Sequence, residues 1–371
     1  MKRILFFAWL VLVSCSSEEI VEPPLAQHTL LVYLAGDNNL SAEVRVKTDS
    51  LLAGWSDQAN NLLIYQDVKD EERTPVLLKA VASDTGAYAV PVKTYPEHDS
   101  ASPEVFAEVF DDAFSQFPAH SYGLLLFSHG TGWLTDNDRL TRTIVQDGTS
   151  SMPIPDFAAV IPDGKLEYIV FEACLMSGVE VAYELRRKTK YIVASSTEIL
   201  SPGFLPVYGT HLADLFTCPA GREAGLVRFA RAFFETADAE TGLNRSATIS
   251  VIATAGLDKL AALTAPVLQD GSSVDLNAVQ QFNSYPTRLY FDFADYISRA
   301  ASAEQYAVIC AQLNETVRYR AATPAFTYFA PLSSRPVRTS CGLTLYVPQA
   351  QYPELNRAYK MYEWVKNTVG E

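Results

Sequence analysis

The chain reads as an α/β fold built on a mainly parallel sheet covered by helices on both faces. Two stretches and the alternation around them predict it. Leu124-Leu125-Leu126-Phe127-Ser128-His129-Gly130 and Tyr168-Ile169-Val170-Phe171-Glu172-Ala173-Cys174 each start with four apolar residues in a row. An apolar run of this kind, without polar alternation, suits a strand buried on both faces. Over roughly the first 200 residues such runs alternate with helical patterns, as parallel strands joined by crossover helices require.

The elements follow in order. Lys2 and Arg3 precede an apolar stretch from Ile4 to Val13 that is too short to span a bilayer. The stretch Leu12-Val13-Ser14-Cys15 resembles a bacterial lipoprotein signal. That resemblance implies removal of 1–14, lipidation of Cys15 and export to a cell-envelope membrane, the outer membrane or cell surface. Ser16-Ser17-Glu18-Glu19 and Pro23-Pro24 make 15–27 a polar tether. His28 to Ala35 predicts a strand, ended by the turn signal Gly36-Asp37-Asn38-Asn39. Ser41 to Trp55 predicts a helix, Asn61 to Asp67 a strand, and Leu77 to Tyr95 a hairpin. Ser102-Pro103 starts a helix whose apolar face carries Phe106, Val109, Phe110, Ala113 and Phe114. After the two strands come a helix from Val179 to Lys188, a strand from Tyr191 to Ser195, and a Pro/Gly loop from Ser201 to Tyr208. Further helices are expected at Gly221 to Ala237 and Gly256 to Leu268, with a strand from Ala247 to Ala253 between them. Residues 270–320 read as mainly helical, Phe326 to Phe329 and Gly342 to Val347 as late strands, and Glu354 to Val369 as a closing helix. A core over 28–220 and a C-terminal α/β portion over 221–371 that completes the fold are the expected units.

The chain has 371 residues, 48% apolar and 19% charged, so it has ample material for a core and little for long disorder. Its net charge of −14 argues against nucleic acid, which needs clustered Lys and Arg. The five cysteines, Cys15, Cys174, Cys218, Cys310 and Cys341, have no zinc spacing and are too sparse for a disulfide framework. One pair among Cys218, Cys310 and Cys341 is compatible with an oxidising compartment.

The chemistry lies at the ends of the two long apolar runs. A thiol attacks only as a thiolate, and an imidazole beside it can take the proton. His129 and Cys174 follow their strands at the same phase, on the edge where open α/β sheets bind ligands. Glycine after His129 lets backbone approach a substrate, so the Gly130 and Cys174 N–H groups are the candidate oxyanion donors. Asp37-Asn38-Asn39 lies where it could shape the same edge, although turn formation alone explains it. Trp133 is read as packing under its loop. No G-x-S-x-G elbow surrounds Ser128.

Five segments in order resemble the clostripain-like cysteine peptidases: Tyr33 to Leu40, Leu125 to Trp133, Phe171 to Met176, Ser195 to Tyr208, and Gly342 to Pro348. The resemblance implies a caspase-like α/β/α sandwich with a mainly parallel sheet and a C-terminal mixed α/β lobe. It implies His129 as base, Cys174 as nucleophile, and a peptide or protein as substrate. It also implies a pocket for Arg or Lys, with Glu172 where the family's aspartate stands and with Glu198 and Phe204 in the lining loop. The second acid of that pocket has no counterpart in Phe204-Leu205-Pro206. Arg139 and Arg142, in the polar stretch between the His and Cys segments, are candidate processing sites. The resemblance implies no required cofactor. Some relatives respond to calcium, but Asp136, Asp138, Asp147 and Asp156 lack EF-hand spacing, so no site is assigned. Two other readings stay open: a silent surface-anchored binding protein on the same fold, and an amidase acting on a non-protein amide.

Overall fold

The computed structural model describes residues 25–69, 74–133, 144–216, 220–270, 273–283, 288–329 and 332–370. The chain starts with β1 (Thr29–Gly36), α1 (Ser41–Ala53), β2 (Asn61–Val68) and the hairpin β3 (Val76–Ser83) and β4 (Gly86–Thr94). Next come α2 (Pro103–Gln116), β5 (Tyr122–Phe127), α3 (Ile154–Val160), β6 (Leu166–Glu172), α4 (Val179–Glu184) and β7 (Thr189–Ala194). The remainder holds α5 (Leu205–His211), α6 (Arg222–Asp238), β8 (Thr248–Ala253), α7 (Leu257–Gln269), α8 (Phe293–Ala300), α9 (Ala303–Thr316), β9 (Val317–Ala322), α10 (Pro353–Tyr359) and α11 (Glu363–Thr368). The sheet order is β9-β8-β7-β6-β5-β1-β2-β3-β4. The five central strands, β7 to β2 in that order, are parallel, and two antiparallel strands flank them on each side. The C-terminal third therefore adds β8 and β9 to the same sheet.

Period-two alternation divides the central strands between two cores. Leu31, Tyr33, Leu124, Leu126, Ile169 and Phe171 face one layer, which contains α2, α3, α4 and α7. Leu30, Val32, Leu125, Phe127, Tyr168 and Val170 face the other, against α1, α5 and α6. Both sides of each strand are covered, which is why these runs lack polar residues. Each such fully buried Leu or Ile contributes about 1.5–3 kcal/mol. Helix α2 starts as its sequence implies. Ser102 Oγ accepts from the Glu104 and Val105 N–H groups at 3.2 and 3.4 Å, and Pro103 occupies the first turn.

Four expectations need correction. Residues 205–211 form α5 rather than a loop; Pro206 sits in the first turn, where a missing N–H costs nothing. The stretch read as helical to 320 ends in strand β9, whose Val317-Arg318-Tyr319-Arg320 alternation suits a half-exposed edge. Only Thr344-Leu345 of the late strand pairs, with Phe291-Asp292. The closing helix is two short ones, α10 and α11. Cys174, Cys310 and Cys341 form no disulfide, and Cys218 lies outside the described residues. Among the described residues no helix is long and apolar enough to cross a membrane.

Glu180, at the start of α4, is 1% exposed, and its Oε1 accepts the Tyr346 N–H at 2.7 Å. Burial pushes its carboxyl up to about 8 from 4.5. The folded state then holds a proton that the unfolded chain releases. This contribution to stability is complete below the unfolded value and is lost as pH rises toward the folded one. Glu180→Gln keeps the acceptor and cannot ionise. Its urea midpoint, relative to the parent chain, is expected to climb between about pH 5 and about pH 8. A difference that stays flat over that range would show that Glu180 does not titrate as described.

Candidate active site

Strands β1, β5 and β6 are parallel neighbours, so their carboxyl ends open on one edge of the sheet. The register pairs Phe127 with Glu172. His129 and Cys174 each lie two residues further on, so the imidazole and thiol segments leave the sheet at the same level. The two turns touch closely. A Cβ placed on Gly130 would lie 2.9 Å from the Cys174 carbonyl oxygen and 3.3 Å from its nitrogen, so only glycine fits there. His129, Gly130 and Cys174 line one cleft of about 530 Å³ with Asn39, Leu40, Glu43, Lys47, Glu172, Glu198, Ile199 and Leu200.

The backbone turns sharply after Cys174. Leu175 adopts φ +62°, a left-handed conformation that costs a non-glycine residue about 1–3 kcal/mol. Its N–H donates to the Thr197 carbonyl at 3.1 Å and its side chain is buried, which offsets that cost. The turn leaves Cys174 half-exposed at the cleft, and the Ile199 N–H points at its sulfur from 3.3 Å, a donor suited to a sulfur anion. His129 donates through Nε2 to Asn39 Oδ1 at 2.6 Å. With a carbonyl oxygen as partner, Nε2 carries the proton and Nδ1 is the basic nitrogen. Asn39 is thus a site residue that turn chemistry alone does not reveal. The signal is its place just past β1, on the same edge as His129 and Cys174.

Glu172 and Phe204 need a different reading from the one their positions suggest. The Glu172 carboxylate, 3% exposed, is already engaged at both oxygens. Oε1 accepts Lys47 Nζ at 2.6 Å and the Phe204 N–H at 2.5 Å, and Oε2 accepts the Tyr208 hydroxyl. Phe204 does not line the cleft with its side chain. It is fully buried between Phe229 and Phe233, and its contribution is the backbone N–H that holds Glu172. Glu198 is half-buried and does line the cleft. The sequence around Lys47 does not single it out, because a lysine within a helix ordinarily faces solvent.

The remaining candidates are structural or lie elsewhere. Trp133 packs among Tyr346, Tyr359 and Tyr362. Ser128 Oγ accepts the Gln146 N–H at 3.0 Å, and Asp147 accepts the Ser100 N–H at 2.6 Å, which ties the segment after His129 to the start of α2. Arg139, Arg142, Asp136, Asp138 and Cys15 lie outside the described residues. Among the described residues, no group of three or more His, Cys, Asp or Glu side chains is arranged to hold a metal ion.

The sequence profile of the clostripain family matches residues 32–349. Clostripain of Hathewaya histolytica is 27% identical over 214 residues, which cover 47% of this chain and 40% of clostripain's own length. An inactive zymogen of a protease of this family from Parabacteroides distasonis is similar in structure, with a TM-score of 0.82 and 34% identity over 94% of this chain and 99% of that one. A secreted cysteine protease of the family from Bacteroides thetaiotaomicron, solved with an irreversible peptide inhibitor, has a TM-score of 0.80 and 26% identity over 92% of this chain and 99% of that one. The profile covers most of the sequence, including both strands that end in His129 and Cys174, and the chain belongs to the clostripain family of cysteine peptidases.

Proposed function

We propose that the chain is a cysteine endopeptidase in which Cys174 is the nucleophile and His129 the base. His129 Nδ1 takes the thiol proton, and the sulfur attacks a peptide carbonyl. The oxyanion of the tetrahedral intermediate is met by the Gly130 and Cys174 N–H groups. Collapse breaks the C–N bond, and the imidazolium returns its proton to the leaving amine. Water, deprotonated by the same imidazole, then hydrolyses the thioester. The observation that carries this reading is the register that brings His129 and Cys174 to one level of one cleft. A relative solved with an irreversible peptide inhibitor supports a peptide as the substrate class.

The test is labelling with a peptide bearing a thiol-reactive electrophile, with the modified cysteine located by mass spectrometry. Selective reaction at Cys174, and not at Cys310 or Cys341, is expected. Indifference of Cys174 to the peptide would leave the silent binding protein standing. Labelling without proteolysis, but with turnover of small amides, would favour the amidase.

Asn39 acts through His129 as a positioning residue. One neutral hydrogen bond is worth about 0.5–1.5 kcal/mol, so Asn39→Ala is expected to lower kcat roughly tenfold with KM little changed. Asn39→Gln or Asn39→Asp, which retain an acceptor, should recover part of the loss. Equal KM and kcat losses in all three would mean that Asn39 only shapes the turn. Export and lipid anchoring through Cys15 belong to the same reading. Acyl label retained by the parent chain and lost in Cys15→Ala would support them.

A further inference from the structure

Lys47 sits in the middle of α1 with its side chain completely buried. Its ammonium has three donors, and three acceptors surround it: Glu172 Oε1 at 2.6 Å, the Pro202 carbonyl at 2.9 Å and Glu43 Oε2 at 3.5 Å. It also lies 4.4 Å above the Phe127 ring. Lys47 and Glu172 both contribute to the cleft that holds Cys174, and Glu172 precedes the sulfur by two residues. The acidic floor beside the nucleophile has therefore already received a cation from the chain itself. From these contacts, and resting on the peptidase reading above, we infer that the cleft selects substrates with an uncharged side chain at the residue before the scissile bond, and that Lys47 is the residue that excludes Arg and Lys.

The argument is electrostatic and steric. A substrate ammonium or guanidinium entering toward Glu172 meets a carboxylate whose oxygens are taken and an ammonium of its own sign. Driving Lys47 out would leave a buried charge without its partner, the costly way to break such a pair. Space is short as well. Gly203, at φ +62°, lies so close that a Cβ on it would collide with Glu172 Oε1 and fall 3.4 Å from Lys47 Nζ. A substrate carboxylate fares no better, because Glu43 and Glu172 line the cleft and Lys47, the one lysine or arginine among its described lining residues, is already paired with them. What remains for the incoming side chain is uncharged surface, including Leu40, Ile199, Leu200 and Ser201. On this reading a cut at Arg139 or Arg142 would have to be made by another enzyme.

The experiment compares labelling rates of Cys174 by two peptide electrophiles that differ only in their terminal side chain, leucine or lysine. It is run on the parent chain and on Lys47→Met. In the parent chain the leucine probe is expected to react at least about tenfold faster, a difference of about 1.4 kcal/mol. In Lys47→Met, with Glu172 open to the substrate, the ratio should shift toward the lysine probe by at least about tenfold, and adding Glu172→Gln should remove that gain. A parent chain that prefers the lysine probe overturns the inference while leaving the peptidase reading intact. So does a folded Lys47→Met with an unchanged ratio. Failure of both probes on a chain whose Cys174 still reacts with a small alkylating agent overturns the peptidase reading itself. If Lys47→Met does not fold, the ratio in the parent chain decides alone.

Discussion

Cys174→Ala is expected to lower kcat for peptide hydrolysis by on the order of 10⁶, because the acyl-enzyme cannot form without the sulfur. His129→Ala should cost nearly as much, since the thiol then keeps its proton at neutral pH. The double variant should be no worse than either single one. Two groups that act as one unit are removed together by either change, so their effects do not add. The residual rate should come from the oxyanion donors and from substrate binding, neither of which depends on these side chains. Single-turnover kinetics on a good peptide substrate measure this. Two modest losses that multiply in the double variant would mean that His129 and Cys174 act independently, and the dyad mechanism would fall.

Glu172→Ala is expected to destabilise the fold by about 3–5 kcal/mol, the usual cost of removing one partner of a buried ion pair. Lys47 would be left with only the Pro202 carbonyl and the more distant Glu43 to face it. The Phe204 N–H and the Tyr208 hydroxyl would lose their acceptor as well. Glu172→Ala combined with Lys47→Met should recover much of the loss, because no buried charge remains. Urea unfolding at neutral pH gives the comparison. A single variant no less stable than the double one would show that water or a neighbouring group compensates Lys47.

The central architecture is legible in residues 124–130 and 168–174 alone. Uninterrupted apolar runs have one physical solution, burial on both faces, and parallel strands so buried end on a common edge. Strand β9 and helix α5 are not legible in the same way. The first is a half-exposed edge whose alternation includes arginines, and the second is a short, proline-led helix that reads as loop. Glu172 is recognisable as a cleft residue, but the partner that neutralises it is not. Lys47 lies 125 residues earlier, in a helix with no strong apolar face of its own. Phe204 suggests a lining side chain, whereas its backbone N–H is what reaches the cleft's acid.

The proposed nucleophile and base, Cys174 and His129, and the phase at which each leaves its strand are encoded locally, because they follow from hydrophobic pattern and residue chemistry. How the charges in the cleft are paired, and which atom of His129 is held by Asn39, emerge with the folded arrangement alone. Ion pairing and hydrogen bonding depend on distances between segments far apart along the chain, and those distances are set by packing, which no local pattern encodes.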